Sequence, residues 1–77
     1  MYHTAESELY QIIGKNIKHY REKAGFTQIQ FADQLGISLS YLSKIEAQGC
    51  SKGLSISVLN HIANSLDVDI RDFFVLR

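Results

Sequence analysis

Apolar residues recur at helical spacing in five separate segments of this chain, with short polar or glycine-containing stretches between them. Such periodicity predicts five amphipathic helices and an all-α fold, because no segment alternates with the period of two that is typical of strands. The first helix is predicted to begin between Thr4 and Ser7 and to end at Ala24, before Gly25. Its inward stripe is expected to consist of Leu9, Ile13, Ile17, Tyr20 and Ala24.

The stretch 27–46, TQIQFADQLGISLSYLSKIE, predicts two short helices joined by a tight glycine turn. Thr27 and Gln30 have the spacing of a capping box. Gly36 stands where a helix ends in a left-handed residue, and Ser38 is a typical cap for the helix that follows. The expected inward positions are Phe31, Ala32, Leu35, Ile37, Leu42 and Ile45.

A turn this short leaves one face of the second helix exposed, and a helix of that size fits the major groove of DNA. The stretch 27–46 therefore predicts a helix-turn-helix unit that reads DNA.

The last third of the chain predicts a loop and two further helices. Residues 47–54 contain Gly49, Gly53 and small polar residues, which is typical of a loop. Ser55 is a typical cap for a fourth helix, and the pattern Asp69-x-x-Asp72 predicts the start of a short fifth helix. The inward residues of the fourth helix are expected to be Val58, Leu59, Ile62, Ala63 and Leu66, and the fifth helix carries Ile70, Phe73 and Phe74.

Size and composition predict a single domain, residues 1–77, of marginal stability. Of the 77 residues, 45% are hydrophobic, which suffices for one core and is too much for a disordered chain. No apolar run reaches ~18 residues and no charged-then-apolar leader begins the chain, so we expect neither a membrane span nor export. The single cysteine, Cys50, cannot form an internal disulfide, which favours a cytoplasmic protein.

The net charge of zero argues mildly against a nucleic-acid partner, but the charges are unevenly distributed. Residues 1–14 carry two acidic side chains and no Lys or Arg. Residues 15–52 carry six basic and three acidic side chains, a balance of +3, whereas residues 53–77 have a balance of −1. The positive excess coincides with the predicted DNA-reading unit, and because it is small we expect only modest non-specific affinity.

The spacing RxxxGFTQxxFAxxLGISxSYLSKIE, followed by a loop and LNHIANSLDVDIRDFF, resembles the phage repressor/Cro-type, or Xre-type, helix-turn-helix family. The resemblance covers residues 13–74. It implies a five-helix repressor-like DNA-binding domain in which the second helix of the motif is the recognition helix. It also implies a transcriptional regulator that binds double-stranded DNA as a homodimer, without a cofactor. The short length is most similar to restriction–modification controller proteins and small phage or plasmid regulators.

Four outward positions of the second motif helix match the recognition positions of that family. Lys44 can donate to guanine O6 and N7, the hydroxyls of Ser40 and Ser43 can contact several bases, and Leu39 offers apolar contact with a thymine methyl. None of the four side chains is suited to strong bidentate readout, so we expect moderate specificity per half-site. The alternative interpretation is that these residues form an ordinary solvated helix face.

Phosphate contacts are expected from different residues. The helix that begins at Thr27 has a positive dipole end that favours anions, and Gln28 in its first turn matches the family's backbone-contacting glutamine. Ser38, Tyr41 and Lys52 are further candidates. The alternatives are that Gln28 and Ser38 serve only as caps and that Tyr41 is partly packed.

The resemblance implies structural roles for two further groups of residues. Arg21 and Glu46 are expected to form an ion pair that links the recognition helix to the first helix. Residues 67–77 are expected to form the dimer interface, because Phe73, Phe74, Val75 and Leu76 exceed what one small core covers. The alternative is that both phenylalanines close the core of the monomer. Residues 1–12 form an N-terminal extension beyond the shortest family members.

Other functional classes fit less well. His3, His19 and His61 have no partners at metal-ligand spacing, and no catalytic motif occurs, so we expect neither an enzyme nor a metal site. Cys50 is interpreted as a plain small residue, with redox sensing as the alternative. The main competing function is an antitoxin-type module that masks a small partner protein through its apolar C-terminal end and binds DNA only for autoregulation.

Overall fold

The computed structural model describes residues 5–48 and 54–76, which form four α-helices and one 3-10 helix. Residues 1–4 of the N-terminal extension, Cys50, Lys52 and the last residue of the expected dimer interface lie outside the described residues. The α-helices are α1 (Glu6–Lys23), α2 (Gln28–Leu35), α3 (Leu39–Gln48) and α4 (Ile56–Leu66), and the 3-10 helix is Ile70–Phe74. No strand occurs in the two described ranges, in agreement with the all-α prediction.

The predicted count of five helices is not confirmed, because the fifth segment forms a short 3-10 helix instead of an α-helix. The side chain of Asp69 accepts a hydrogen bond from Arg71 N at 2.9 Å, and the Asp69 carbonyl accepts one from Asp72 N at 2.9 Å. This tight turn has the spacing of a 3-10 helix, a form that is stable only over a few residues. The backbone becomes extended at Val75, so the segment ends after a single short element.

The helix ends coincide with local signals in the sequence. In α2, Thr27 Oγ1 accepts from Gln30 N at 3.1 Å and Gln30 Oε1 accepts from Thr27 N at 3.0 Å, which completes the predicted capping box. Gly36 ends α2 with a φ of +75° in the left-handed region, which a glycine adopts without strain. Ser55 caps α4 through Val58 N at 3.1 Å. The predicted ends of α2 and the predicted start of α4 are therefore confirmed.

The core lies between the four α-helices and the 3-10 helix. Leu9 and Ala24, which were expected in the inward stripe of α1, are exposed instead. Leu9 stands near the first turn of α1, and Ala24 directly follows its last residue. The buried apolar residues are Ile13, Ile17, Phe31, Ala32, Leu35, Leu42, Ile45, Leu54, Leu59, Ile62, Ala63 and Phe73.

Candidate nucleic-acid interface

The orientation of α3 follows from its anchoring in the core and from the turn that precedes it. Leu42 and Ile45 are completely buried, so the opposite side of α3 faces outward. The turn is closed by a hydrogen bond from Ile37 N to the Ala32 carbonyl at 3.1 Å. At the start of α3, Ser38 Oγ accepts from Tyr41 N at 3.0 Å. These contacts hold α3 at a fixed angle to α2.

Three of the four expected base-reading residues lie on the exposed side of α3. Leu39, Ser40 and Lys44 are exposed, and 42% of Leu39 is open to solvent. Ser43 differs from the expectation, because it is half-buried and its hydroxyl donates to Gln28 Oε1 at 3.1 Å. Its hydroxyl proton is engaged within the protein, so Ser43 can offer only an acceptor to a base edge.

A buried ion pair connects α1 with α3. Arg21 Nε donates to Glu46 Oε2 at 2.6 Å and Arg21 Nη2 donates to Glu46 Oε1 at 3.0 Å, which makes the pair bidentate. The two side chains are only 7% and 3% exposed. The hydrogen bonds with Glu46 raise the pKa of Arg21 above its ordinary value, against the opposing effect of burial. A third donor, Arg21 Nη1, reaches the Phe26 carbonyl at 2.7 Å and so fixes the link before α2.

Gln28 extends this pair into a network that spans three helices. Its Nε2 donates to Glu46 Oε1 at 3.0 Å, while its Oε1 accepts from the hydroxyl of Ser43. The first turn of α2 is thereby tied to the middle and the end of α3. The network holds the side chains of α3 in position. Most polar atoms of the network are already hydrogen-bonded within the protein and are not available to a ligand.

Close contact between α1 and α3 depends on Gly14, which the sequence reasoning did not single out. Its Cα faces the backbone of α3, and an added Cβ would overlap the Ile45 carbonyl oxygen and lie 3.1 Å from the Glu46 carbonyl oxygen. Only a glycine permits this approach of the two helices. Because Gly14 stands inside a predicted helix, where glycine is unfavourable, its position is the signal that could have identified it.

The expected phosphate contacts divide into capping and packing residues. Thr27 and Ser38 both act as caps, and both remain exposed at the starts of α2 and α3. Tyr41 is half-buried against the core, and Gln28 belongs to the network described above. The first N–H groups of a helix have no intrahelical partners, so the start of α2 can accept an anion. Lys52, the remaining candidate, lies outside the described residues.

Other kinds of site find little support in the described ranges. Residues 5–48 and 54–76 contain no group of His, Cys, Asp or Glu that could hold a metal ion. His61 Nε2 lies 3.0 Å from the Leu35 carbonyl oxygen and so contacts the end of α2. None of the described helices combines the length and the hydropathy that crossing a membrane requires.

Comparison with known sequences gives a family match over most of the chain. A helix-turn-helix family model matches residues 17–73. The chain is 36% identical over 63 residues to the HTH-type transcriptional regulator SlrR of Bacillus subtilis (strain 168), a match that covers 82% of this chain and 41% of SlrR. It is also 36% identical over 59 residues to SinR of the same organism, covering 77% of this chain and 52% of SinR. The chain thus spans about half the length of these relatives.

Solved structures also match this chain over most of its length. The crystal structure of the master regulator for biofilm formation SinR in complex with DNA matches with a TM-score of 0.71 and 33% identity, covering 82% of this chain and 98% of that chain. The restriction–modification controller protein C.AhdI from Aeromonas hydrophila matches with a TM-score of 0.73 and 25% identity, covering 84% and 96%. The sequence match over residues 17–73 and the geometry of α2 and α3 together show that the chain belongs to the Xre-type helix-turn-helix family of transcriptional regulators.

Proposed function

We propose that this chain binds specific sequences of double-stranded DNA, with α3 in the major groove, and thereby regulates transcription. The observation that carries the proposal is the rigid placement of α3. Its inner side is locked by Leu42, Ile45 and the Arg21–Glu46 pair, while Leu39, Ser40 and Lys44 stay exposed. The likeness to SinR, which is known in complex with DNA, supports the same function.

The chemistry of the exposed side suggests how bases are read. Lys44 donates to guanine O6 and N7, Ser40 contacts a base edge through its hydroxyl, and Leu39 packs on a thymine methyl. Ser43 can only accept a hydrogen bond from a base, because its hydroxyl proton is donated to Gln28 Oε1. Lys44 carries the only charge among these four side chains, so affinity per half-site is moderate and DNA shape supplies part of the specificity.

Phosphate contacts hold α3 in register on the duplex. The start of α2, with Thr27 and Gln28, and the start of α3, with Ser38 and Tyr41, are separated by the length of α2 and the turn that follows it. Their N–H and O–H groups suit two successive phosphates of one strand. Lys52 is proposed as an additional contact from the loop between α3 and α4.

The proposed active form is a homodimer on a near-palindromic operator. Phe74, Val75 and Leu76, here called the C-terminal patch, are 41%, 49% and 67% exposed in spite of their apolar side chains. An apolar cluster of this kind favours association, and two-fold dimers are the commonest form. Two copies would present their recognition helices about 34 Å apart, one turn of DNA.

The test is selection of bound sequences from random duplex DNA at two salt concentrations. We expect a near-palindromic sequence to be enriched, with affinity that falls as salt rises. Lys44→Ala should weaken binding to that sequence about tenfold and relax the preference at one position. Lys18→Ala removes an equal charge from the exposed side of α1 and serves as the matched control. Failure to enrich any sequence, or equal effects of both variants, would contradict the proposal.

The C-terminal patch also supports the alternative function, an antitoxin-type module that covers a small partner protein. The two functions predict different behaviour of the purified chain. A regulator forms a dimer and protects an operator without any other protein, whereas the alternative predicts a monomer that co-purifies with its partner. Sedimentation and footprinting with the isolated chain discriminate between them.

A further inference from the structure

Asn16 is a buried polar residue in the middle of α1, with only 1% of its surface exposed. Its Nδ2 donates to the Phe73 carbonyl at 2.8 Å and to the Val75 carbonyl at 2.7 Å. Burying an amide among apolar side chains is unfavourable unless it is hydrogen-bonded. Here both bonds go to the backbone of a segment more than fifty residues away in the sequence.

The two carbonyls lie on either side of Phe74, the first residue of the C-terminal patch. At this point the chain leaves the 3-10 helix and becomes extended at Val75. Val75 and Leu76 then run along α1, where they line a shallow cleft together with Ile12 and Lys15. The direction of the patch is therefore fixed by α1 through Asn16.

The same helix also fixes α3, through a different face. Gly14 permits the backbone of α3 to approach, and Arg21, two turns later on that face, forms the pair with Glu46. Asn16 and Tyr20 lie on the other side of α1, and the ring of Tyr20 is 6.2 Å from that of Phe73. One rigid helix thus contacts the recognition helix on one side and the C-terminal segment on the other.

We infer that Asn16 is a positioning residue that sets the C-terminal patch at a fixed geometry to α3, so that dimer formation selects one distance between half-sites. The inference rests on the proposed homodimer. Without the two bonds from Asn16, the patch keeps its apolar side chains but loses its fixed direction. Dimers then form less readily and hold their recognition helices at no single separation.

The test compares Asn16→Asp with wild type and with the matched control Asn60→Asp, which changes an exposed asparagine on α4. Aspartate has the shape of asparagine, but its carboxylate cannot donate to the two carbonyls. We expect the dimer dissociation constant to rise about 10- to 30-fold, because the freed C-terminal segment must be ordered when the dimer forms. The affinity for a single half-site should stay within about twofold, since α3 is held by other contacts.

Half-site spacing provides a readout that simple loss of stability would not change. Wild type should prefer one spacing in a series of operators that differ in centre-to-centre distance, whereas Asn16→Asp should bind the series almost equally. Protonating the new carboxyl, whose pKa burial raises, restores one donor. Lowering the pH from about 8 to about 5 should therefore strengthen the variant dimer but not the wild-type dimer.

If circular dichroism shows that Asn16→Asp does not fold, the same comparison is made with Asn16→Ala, which introduces no charge. A folded variant that keeps the wild-type dimer constant and the wild-type spacing preference would overturn this inference alone. A wild-type chain that remains monomeric would overturn the proposed homodimer and the inference together. Because wild type reports on the homodimer and the variants report on Asn16, the two failures are distinguishable.

Discussion

At the scale of single residues, two arginines of this chain illustrate how burial changes the role of a charge. Arg21 is enclosed between α1 and α3 and forms a bidentate pair with Glu46. Arg71 also forms a pair with Asp69, 2.8 Å at its closest, but its side chain is 88% exposed. The hydrogen bonds from Arg71 lower the pKa of Asp69 to about 2. Water competes with the exposed pair much more strongly than with the buried one.

Arg21→Ala is expected to destabilise the fold by about 3–5 kcal/mol, because Glu46 would remain as a buried charge without its partner. DNA affinity should fall in parallel, since Gln28 and α3 lose their common anchor. Arg71→Ala, the exposed counterpart, should leave both properties nearly unchanged. Thermal melts and binding titrations of the two variants measure the effect. An Arg21→Ala variant that melts at the wild-type temperature would show that the pair contributes nothing.

Gly14 provides a second prediction at this scale. Gly14→Ala should destabilise the protein by about 1–3 kcal/mol through the clash of Cβ with the Ile45 carbonyl. Helix propensity alone predicts the opposite, a gain of about 1 kcal/mol. Gln11→Ala, at an exposed position of α1, is the control for propensity. Urea unfolding of both variants decides between these two predictions. A Gly14→Ala variant more stable than wild type would mean that α3 can move away from α1 without loss of stability.

At the scale of elements, the starts and ends of the helices are set by hydrogen bonds that are local in sequence. Thr27, Ser38 and Ser55 each accept a hydrogen bond from the backbone N–H three residues later. Asp67 ends α4 with a φ of +56°, a left-handed conformation that costs more for aspartate than for glycine. Short helices of this kind depend on such caps, because isolated helices under about twelve residues are not stable in water.

Thr27→Ala should destabilise the protein by about 1 kcal/mol, because it removes one bond of the capping box at the start of α2. Ser57→Ala, inside α4 and exposed, changes a hydroxyl residue outside the cap positions and should have little effect. Guanidinium unfolding of both variants measures the difference. Equal unfolding midpoints for Thr27→Ala and wild type would mean that water replaces the capping hydrogen bond without loss of stability.

At the scale of the whole molecule, a chain of 77 residues has one small core and therefore little stability to spare. Phe73 is completely buried in that core, whereas its neighbour Phe74 is 41% exposed. The alternative in which both rings close the monomer is thus wrong for Phe74, whereas Phe73, which was expected in the dimer interface, is buried in the core instead. Burying the C-terminal patch in a dimer would add stability that depends on protein concentration.

Phe73→Ala and Phe74→Ala are expected to affect different properties. Phe73→Ala should reduce the free energy of unfolding by about 3–5 kcal/mol, which is near the total for a domain this small. Phe74→Ala should leave the fold intact, shift the protein toward monomer and weaken operator binding. Sedimentation at micromolar concentration, combined with circular dichroism, separates the two outcomes. A Phe74→Ala variant that stays dimeric would argue against the C-terminal patch as the interface.

The sequence by itself determined the helices, their caps and the identity of most of the core. These features depend on residues three or four positions apart, so Thr27 and Gln30, or Leu42 and Ile45, can be recognised without a structure. The same periodicity indicated that Leu39, Ser40 and Lys44 face away from the core. It failed at the ends of α1, where Leu9 and Ala24 continue the stripe but are exposed.

Only the tertiary structure decided how these elements are joined. The contacts of Gly14 with the backbone of α3, of Gln28 with Ser43, and of Asn16 with the Phe73 and Val75 carbonyls link residues far apart in the chain. Nothing in the local pattern marks Asn16 as buried, because asparagine is normally a surface residue. The place of Ile70–Phe74 against α1 was decided in the same way, because the hydrogen bond from Asn16 to the Phe73 carbonyl joins residues that are far apart in the sequence.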